Sequence, residues 1–263
     1  MKGLYLFPFF IFASCVAFQA QQKSELSKAD KSALEGIIVE SYYVSDSADY
    51  VDSLGDVLKS GAITYRIYVD MKPDYTLQLI YGSQKHPLSI QTSTTFYNNA
   101  DCGALIGYNV NYLKINRGKY ALDSWITINS ATNHYAGILK SHDKDGSIIE
   151  RHSLNKADGL TNGNLPTIKP FNLDMNFFDN DSNAVVFSTT NGGWAAISGV
   201  KSGVKGPTTD NRVLIAQLTT NGILSFELNV QLGTPSGGVV NFVAKNPESS
   251  EIKFEALTKA IKP

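Results

Sequence analysis

The stretch "NRVLIAQLTTNGILSFELNVQL", residues 211–232, decides the fold. Its second half sets Leu224, Phe226, Leu228, Val230 and Leu232 on one side of an extended chain, with Ser225, Glu227, Asn229 and Gln231 on the other. That alternation describes a strand with one buried and one partly solvated face. The first half is apolar on both sides, with Leu214, Ala216 and Leu218 behind Val213 and Ile215. It predicts a strand inside a sheet, covered on both faces. Asn221-Gly222 between the halves is a favoured pair for a type I′ turn, whose central residues both need positive φ. The expected hairpin register sets Thr220 opposite Ile223 and Ile215 opposite Leu228. Packing accounts for every residue of the stretch, so it carries no catalytic expectation.

Outward from this segment, β-branched and aromatic runs recur. "GIIVESYYVS" (36–45), "AITYRIYVDM" (62–71), "YTLQLIYG" (75–82), "HPLSIQTSTTF" (86–96) and "YALDSWITI" (120–128) read as strands. "AVVFSTT" and "GWAAISGV" flank Asn191-Gly192 and suggest a second hairpin, while "GVVNFVAKN" and "IKFEALTKAI" close the chain. Gly, Asn, Asp and Pro punctuate these runs, and no long helical period appears. The expected fold is all-β: a sandwich of antiparallel strands with long irregular loops, residues 36–263 forming a single domain. Residues 98–119 and 140–172 are the longest irregular stretches.

The first residues, "MKGLYLFPFFIFASCVAFQAQQ", place one Lys before a short apolar run and small or polar residues after it. This predicts a signal peptide over residues 1–20, followed by a polar leader over 21–35. The expected location is secreted or cell-surface; a periplasmic protein, or one lipid-anchored through Cys15, is the less favoured alternative. With Cys15 removed, Cys102 is the remaining thiol and no internal disulfide can form. No later run is apolar and long enough to predict a transmembrane segment. A formal charge of −1 argues against nucleic acid as a partner.

Several segments, "ITYRIYVDM", "HPLSIQTSTTFYNN", "LDSWITI" and "RVLIAQLTTNGILSFELNVQLGTPSGG", resemble in the same order a group of secreted β-rich domains. Those domains belong to large extracellular and surface proteins of marine and gliding bacteria, often upstream of a C-terminal secretion-sorting module. The resemblance covers most of residues 36–252. It implies secretion and a β fold, and it transfers no catalytic residue.

Candidate sites come from loop chemistry. "SHDKDGSIIERH" (141–152) spaces Asp143, Asp145 and Gly146 like positions 3, 5 and 6 of a calcium loop, but puts His152 where the bidentate acid belongs. "FFDNDSN" (177–183) carries Asp179 and Asp181. Calcium is the possible ligand of these four aspartates; tight turns use the same residue types. His142 and His152 flank the first loop without zinc-ligand spacing. The alternation of "LDSWITI" puts Trp125 on the more polar face, which makes it the candidate ligand-binding aromatic against a core alternative. No nucleophile elbow, phosphate loop or dinucleotide fingerprint occurs. The expected function is a non-enzymatic binding or structural module of the bacterial envelope or surface. Its partner would be a surface protein, an outer-membrane assembly or a glycan. The alternative is a hydrolase acting on extracellular polysaccharide.

Overall fold

The computed structural model describes residues 26–49, 57–99, 103–116, 119–144, 146–149, 154, 156–175, 186–197 and 203–263. The strands in the first half are β1 (Leu34–Val44), β2 (Ile63–Met71), β3 (Thr76–Tyr81), β4 (Leu88–Thr92), β5 (Trp125–Ile126), β6 (Ala136–Gly137) and β7 (Leu160–Thr161). Those that follow are β8 (Thr167–Phe171), β9 (Val186–Thr189), β10 (Gly193–Ile197), β11 (Arg212–Thr220), β12 (Leu224–Glu227) and β13 (Asn229–Gly233). The last are β14 (Val239–Val243), β15 (Glu251–Lys253) and β16 (Thr258–Ile261). Among the described residues the α-helix is confined to Lys28–Lys31, one turn capped by Ser27 and Asp30. No described helix is long and apolar enough to cross a membrane.

The strands form an all-β, sandwich-like fold. One sheet has the order β1-β2-β11-β5, a second β15-β14-β13-β3-β10-β8, and a third β16-β12-β4-β9; β6 and β7 pair separately. Every pairing is antiparallel except β14 with β15. The main core lies between the first sheet and the other two. Ile67 and Val69 of β2 meet Ile80, Phe226, Val230 and Phe242 there. Full burial of each such side chain is worth about 1.5–3 kcal/mol, which is what holds the layers together.

β12 and β13 are one apolar run interrupted at Leu228. The Leu228 N–H leaves the ladder and donates to Leu257 O at 2.9 Å. Asn229, read from alternation as outward, is 1% exposed. Its side chain repairs the interruption. It donates to Tyr81 O at 3.1 Å and His86 O at 3.0 Å, and accepts from Ala244 N at 3.1 Å. The chain thereby passes from the third sheet to the second without leaving buried backbone groups unpaired.

β11 is the interior strand its composition predicts. It lies between β2 and β5, and Val213 through Thr220 are all buried. Ile215 is the extra residue of a bulge opposite Tyr68 and Ile67. The bulge turns Ile215 and Ala216 both toward the main core, while Leu214 faces a second core.

The expected hairpin does not form. β11 pairs with β2 and β5, and β12 pairs with β16 and β4, so Ile215 is not opposite Leu228. Asn221-Gly222 carries the chain from one sheet to another, and neither residue has positive φ. Alternation fixes which face of a strand is buried but not which strand it pairs with, and crossing between layers buries both faces. The chain segment after β4 fills the hairpin partner's place. Ser93 N donates to Ile223 O at 3.1 Å, and Tyr97 N to Thr219 O at 2.8 Å. Gly222 is required by close approach: a Cβ there would lie 2.6 Å from Thr92 Oγ1 and Thr94 Oγ1. The hairpin expected at Asn191-Gly192 fails for the same reason, because β9 pairs with β4 while β10 pairs with β3 and β8. "YALDSWITI" is a 3-10 turn, Tyr120–Leu122, followed by a two-residue strand.

Gly222→Val should therefore lower stability by about 1–3 kcal/mol through overpacking. Asn221→Ala should change it by less than about 0.5 kcal/mol, since no left-handed residue is lost. Urea midpoints of the two variants check this; a large loss at Asn221 with little at Gly222 would restore the hairpin.

Candidate functional site

The outer face of the first sheet is not solvated. An irregular cap drawn mainly from residues 94–161 covers it, and a second core, including Tyr42, Tyr68, Tyr120, Trp125, Leu160 and Leu214, fills the space between. Within this second core sits a charge. Arg66, in the middle of β2, is 2% exposed. Its guanidinium carbon lies 3.7 Å from the centre of the Tyr42 ring. Its Nε donates to Gln217 Oε1 at 2.9 Å, and its Nη1 to Gly159 O at 2.9 Å and Asp158 O at 3.4 Å. Gln217 in turn donates to Ala121 O at 3.0 Å and Asp123 O at 2.8 Å. Strand and cap are thus joined through backbone carbonyls of the cap.

The surrounding titratable groups respond to burial. Burial pushes the Glu40 carboxyl up, against the pull of Arg66 and of the Lys140 N–H, which donates to Glu40 Oε1 at 2.8 Å. The Tyr42 hydroxyl is pushed up to about 12 by burial and donates to Asp158 O at 2.7 Å. Tyr68 is also raised by burial and donates to Ile138 O at 2.8 Å.

Asp143, the described member of the expected calcium set, has a structural engagement. Its Oδ2 accepts from Asp158 N at 2.8 Å and Gly159 N at 2.9 Å. Asp158, fully buried, accepts from Ile149 N at 2.8 Å and from Ile148 N through Oδ2, and from Leu160 N at 3.2 Å through Oδ1. Burial raises the Asp158 carboxyl; the backbone donors oppose that and Asp143 adds to it. Asp145, Asp179 and Asp181 lie outside the described residues, as do Cys102 and His152. Among the described residues, no three His, Cys, Asp or Glu side chains come together as a metal site.

Trp125 is 2% exposed within the second core, so the core alternative is the one the structure shows. A ring in that position offers no open face for a ligand. The polar residues of "LDSWITI" are buried as well: Asp123, Ser124 and Thr127 are all fully enclosed. Sequence reasoning passed over Arg66, Gln217 and Asp158. The signal for the first two was a long polar side chain at the centre of an apolar strand; Asp158 had no local signal.

Two surface features border the cap. One is a pocket of about 400 Å³ between the segment following β6 and the turn before β11, lined in part by Ile138, Ser141, His142, Lys144, Thr208 and Asp210. At its rim His142 Nδ1 lies 3.1 Å from Asp210 Oδ2, and Arg212 bridges Asp210 and Asp70 at 3.2 Å each. The other is an aromatic cluster. The Tyr112 and His134 rings stack with centroids 4.3 Å apart, and Tyr135 stands edge-on to them at 6.0 and 5.6 Å. Tyr108 nearby is 43% exposed and Leu113 is 70% exposed. Comparison with family models, curated proteins and solved structures finds no match.

Asp158→Asn should cost about 1–3 kcal/mol, because an amide cannot accept from all three backbone donors. The pH dependence has a defined sign. The buried carboxyl lies above its unfolded value, so the unfolded chain releases its proton first as pH rises. The Asp158 contribution is therefore largest in acid and declines as pH climbs from the ordinary Asp range through the raised folded value. Denaturant titrations of parent and variant at several pH values should show their difference narrowing upward.

Proposed function

We propose that this chain is a secreted, non-enzymatic binding module of the bacterial cell surface, and that its ligand is a glycan. The observation that carries the reading is the surface cluster of exposed His134 with half-buried Tyr112 and Tyr135. A pyranose ring presents a face of C–H groups that packs on an aromatic ring, while its hydroxyl edge seeks amides and hydroxyls. Asn133 supplies such an amide: its Oδ1 accepts from Tyr112 N at 3.1 Å, which fixes the side chain beside the ring. Asn109, two residues from Asn111, is exposed on the same turn-rich segment.

The described acids of the cap support a binding role over hydrolysis. A glycosidase needs two carboxylates about 5–10 Å apart at an open cleft. Asp143 and Asp158 instead hold backbone amides, and Asp210 and Asp70 at the pocket rim are both tied up by Arg212. Secretion rests on the Lys-plus-apolar leader and on the resemblance to secreted β-rich domains.

Affinity electrophoresis against a panel of soluble polysaccharides should show retardation of the parent protein. Tyr112→Ala, at a half-exposed ring, should weaken the retained interaction about tenfold, the size of one stacking contact. Retardation by none of the panel, or equal retardation of parent and variant, would remove the glycan reading. The exported product should also lack about the first twenty residues by intact mass.

A further inference from the structure

We propose that the pocket between Ile138 and Asp210 is a separate binding site for a hydroxylated ring bearing one anionic group, such as a uronic acid or a sugar sulfate. The inference does not depend on the aromatic cluster, which shares no residue with it.

The lining sets the ligand's chemistry. Ser141, Thr208 and Thr209 contribute hydroxyls, each able to donate and accept, against one aliphatic side chain, Ile138. That composition suits a polyol, whose hydroxyls need both roles, and not a hydrocarbon. A volume of about 400 Å³ accommodates a single sugar ring with its substituent. The charges set the substituent. Asp210 and Asp70 are both engaged by Arg212, and His142 Nδ1 lies within hydrogen-bond reach of Asp210. Lys144 has no ion-pair partner among the described residues and lines the same pocket. An anionic group on the ligand would complete it.

Both walls are held in place before any ligand arrives. On one side, Ile138 N donates to Gly159 O at 2.9 Å while Ile138 O accepts from Tyr68 at 2.8 Å, which ties the floor to the Arg66 network. On the other side, buried Asn211 takes a left-handed conformation, φ 53°. Its N–H closes the turn onto Thr208 O at 3.1 Å, and its side chain donates to Lys72 O at 2.6 Å and Tyr75 O at 3.0 Å. A polar pocket with fixed walls loses little freedom on binding, which is what a specific site requires.

The test uses the full mature chain, with galacturonate, galactose 6-sulfate, galactose and acetate as separate probes at equal ionic strength. Calorimetry gives affinities, and NMR follows the Thr208 and Thr209 methyl and His142 ring signals. Galacturonate or the sulfate should bind about tenfold more tightly than galactose, and whichever does so identifies the anion. Lys144→Gln should abolish that preference without changing galactose binding. Thr208→Val combined with Thr209→Val should weaken all three sugars, and Tyr112→Ala should alter none of these affinities. Binding of acetate as tight as galacturonate, no preference for the anionic sugars, an unchanged preference in Lys144→Gln, signal changes away from the pocket, or no sugar binding would each overturn the proposal. A loss caused by Tyr112→Ala would instead assign the sugar to the aromatic cluster.

Discussion

A guanidinium buried beneath the cap must be satisfied where it sits, and that constraint organises half of this molecule. Arg66 is surrounded by a ring face, an amide oxygen and two main-chain carbonyls. Each comes from a different part of the chain: β1, β11 and the 158–159 segment of the cap. Removing the cap would expose Arg66 to water at little cost, but it would also strip the second core. The cap folds onto the sheet because apolar burial favours it, and Arg66 dictates the register in which it lands. Glu40 lies close enough for its carboxylate to offset the buried cation, although no direct ion pair joins them. Carbonyl dipoles and a π face take the place of a direct ion pair.

The strand content was legible because alternation reports burial directly. β2 shows this well: Tyr65, Ile67, Val69 and Met71 all point into the main core. The doubly apolar character of β11 likewise announced a strand covered on both faces. Pairing was not legible. Asn221-Gly222 has the composition of a hairpin turn, yet its neighbours Thr92, Thr94 and Thr220 join their hydroxyls across the crossing at 2.7 and 3.0 Å. A glycine chosen for lack of a side chain looks the same in sequence as one chosen for positive φ. Among the described residues the positive-φ positions fall elsewhere, at Asn129, Asn172, Asn211 and Asn246 and at Gly61, Gly146, Gly159, Gly203 and Gly237. Only the three-dimensional neighbours separate the two uses.

The site was less legible than the fold, again for a physical reason. Asp143 was found because its spacing imitates a cation loop, and an acid that caps backbone amides needs the same short, oxygen-rich side chain as one that binds calcium. Alternation correctly set Trp125 opposite Ile126 and Ile128, but that face is covered by the second core and offers no open ring. The aromatic cluster had no sequence signature at all. Tyr112, His134 and Tyr135 are separated by about twenty residues and meet because Asn133 N donates to Val110 O and Asn133 Oδ1 accepts from Tyr112 N.

An irregular cap has no ladder to satisfy its backbone, so side chains must do it. Thr132 accepts from His134 N and Tyr135 N, Asn111 from Leu113 N, Ser147 donates to Ile149 O and Leu154 O, and Asp143 and Asp158 accept from five amides between them. These residues are committed to holding shape and are poor candidates for chemistry. The groups left over are those that line or crown the surface: the hydroxyls and ammonium of the pocket, and the rings of the aromatic cluster. A regular sheet edge would present its own backbone to a partner; this cap has spent its backbone internally and presents side chains. Recognition by side chains suits a ligand with its own spaced donors, acceptors and apolar faces, which is the surface a glycan offers.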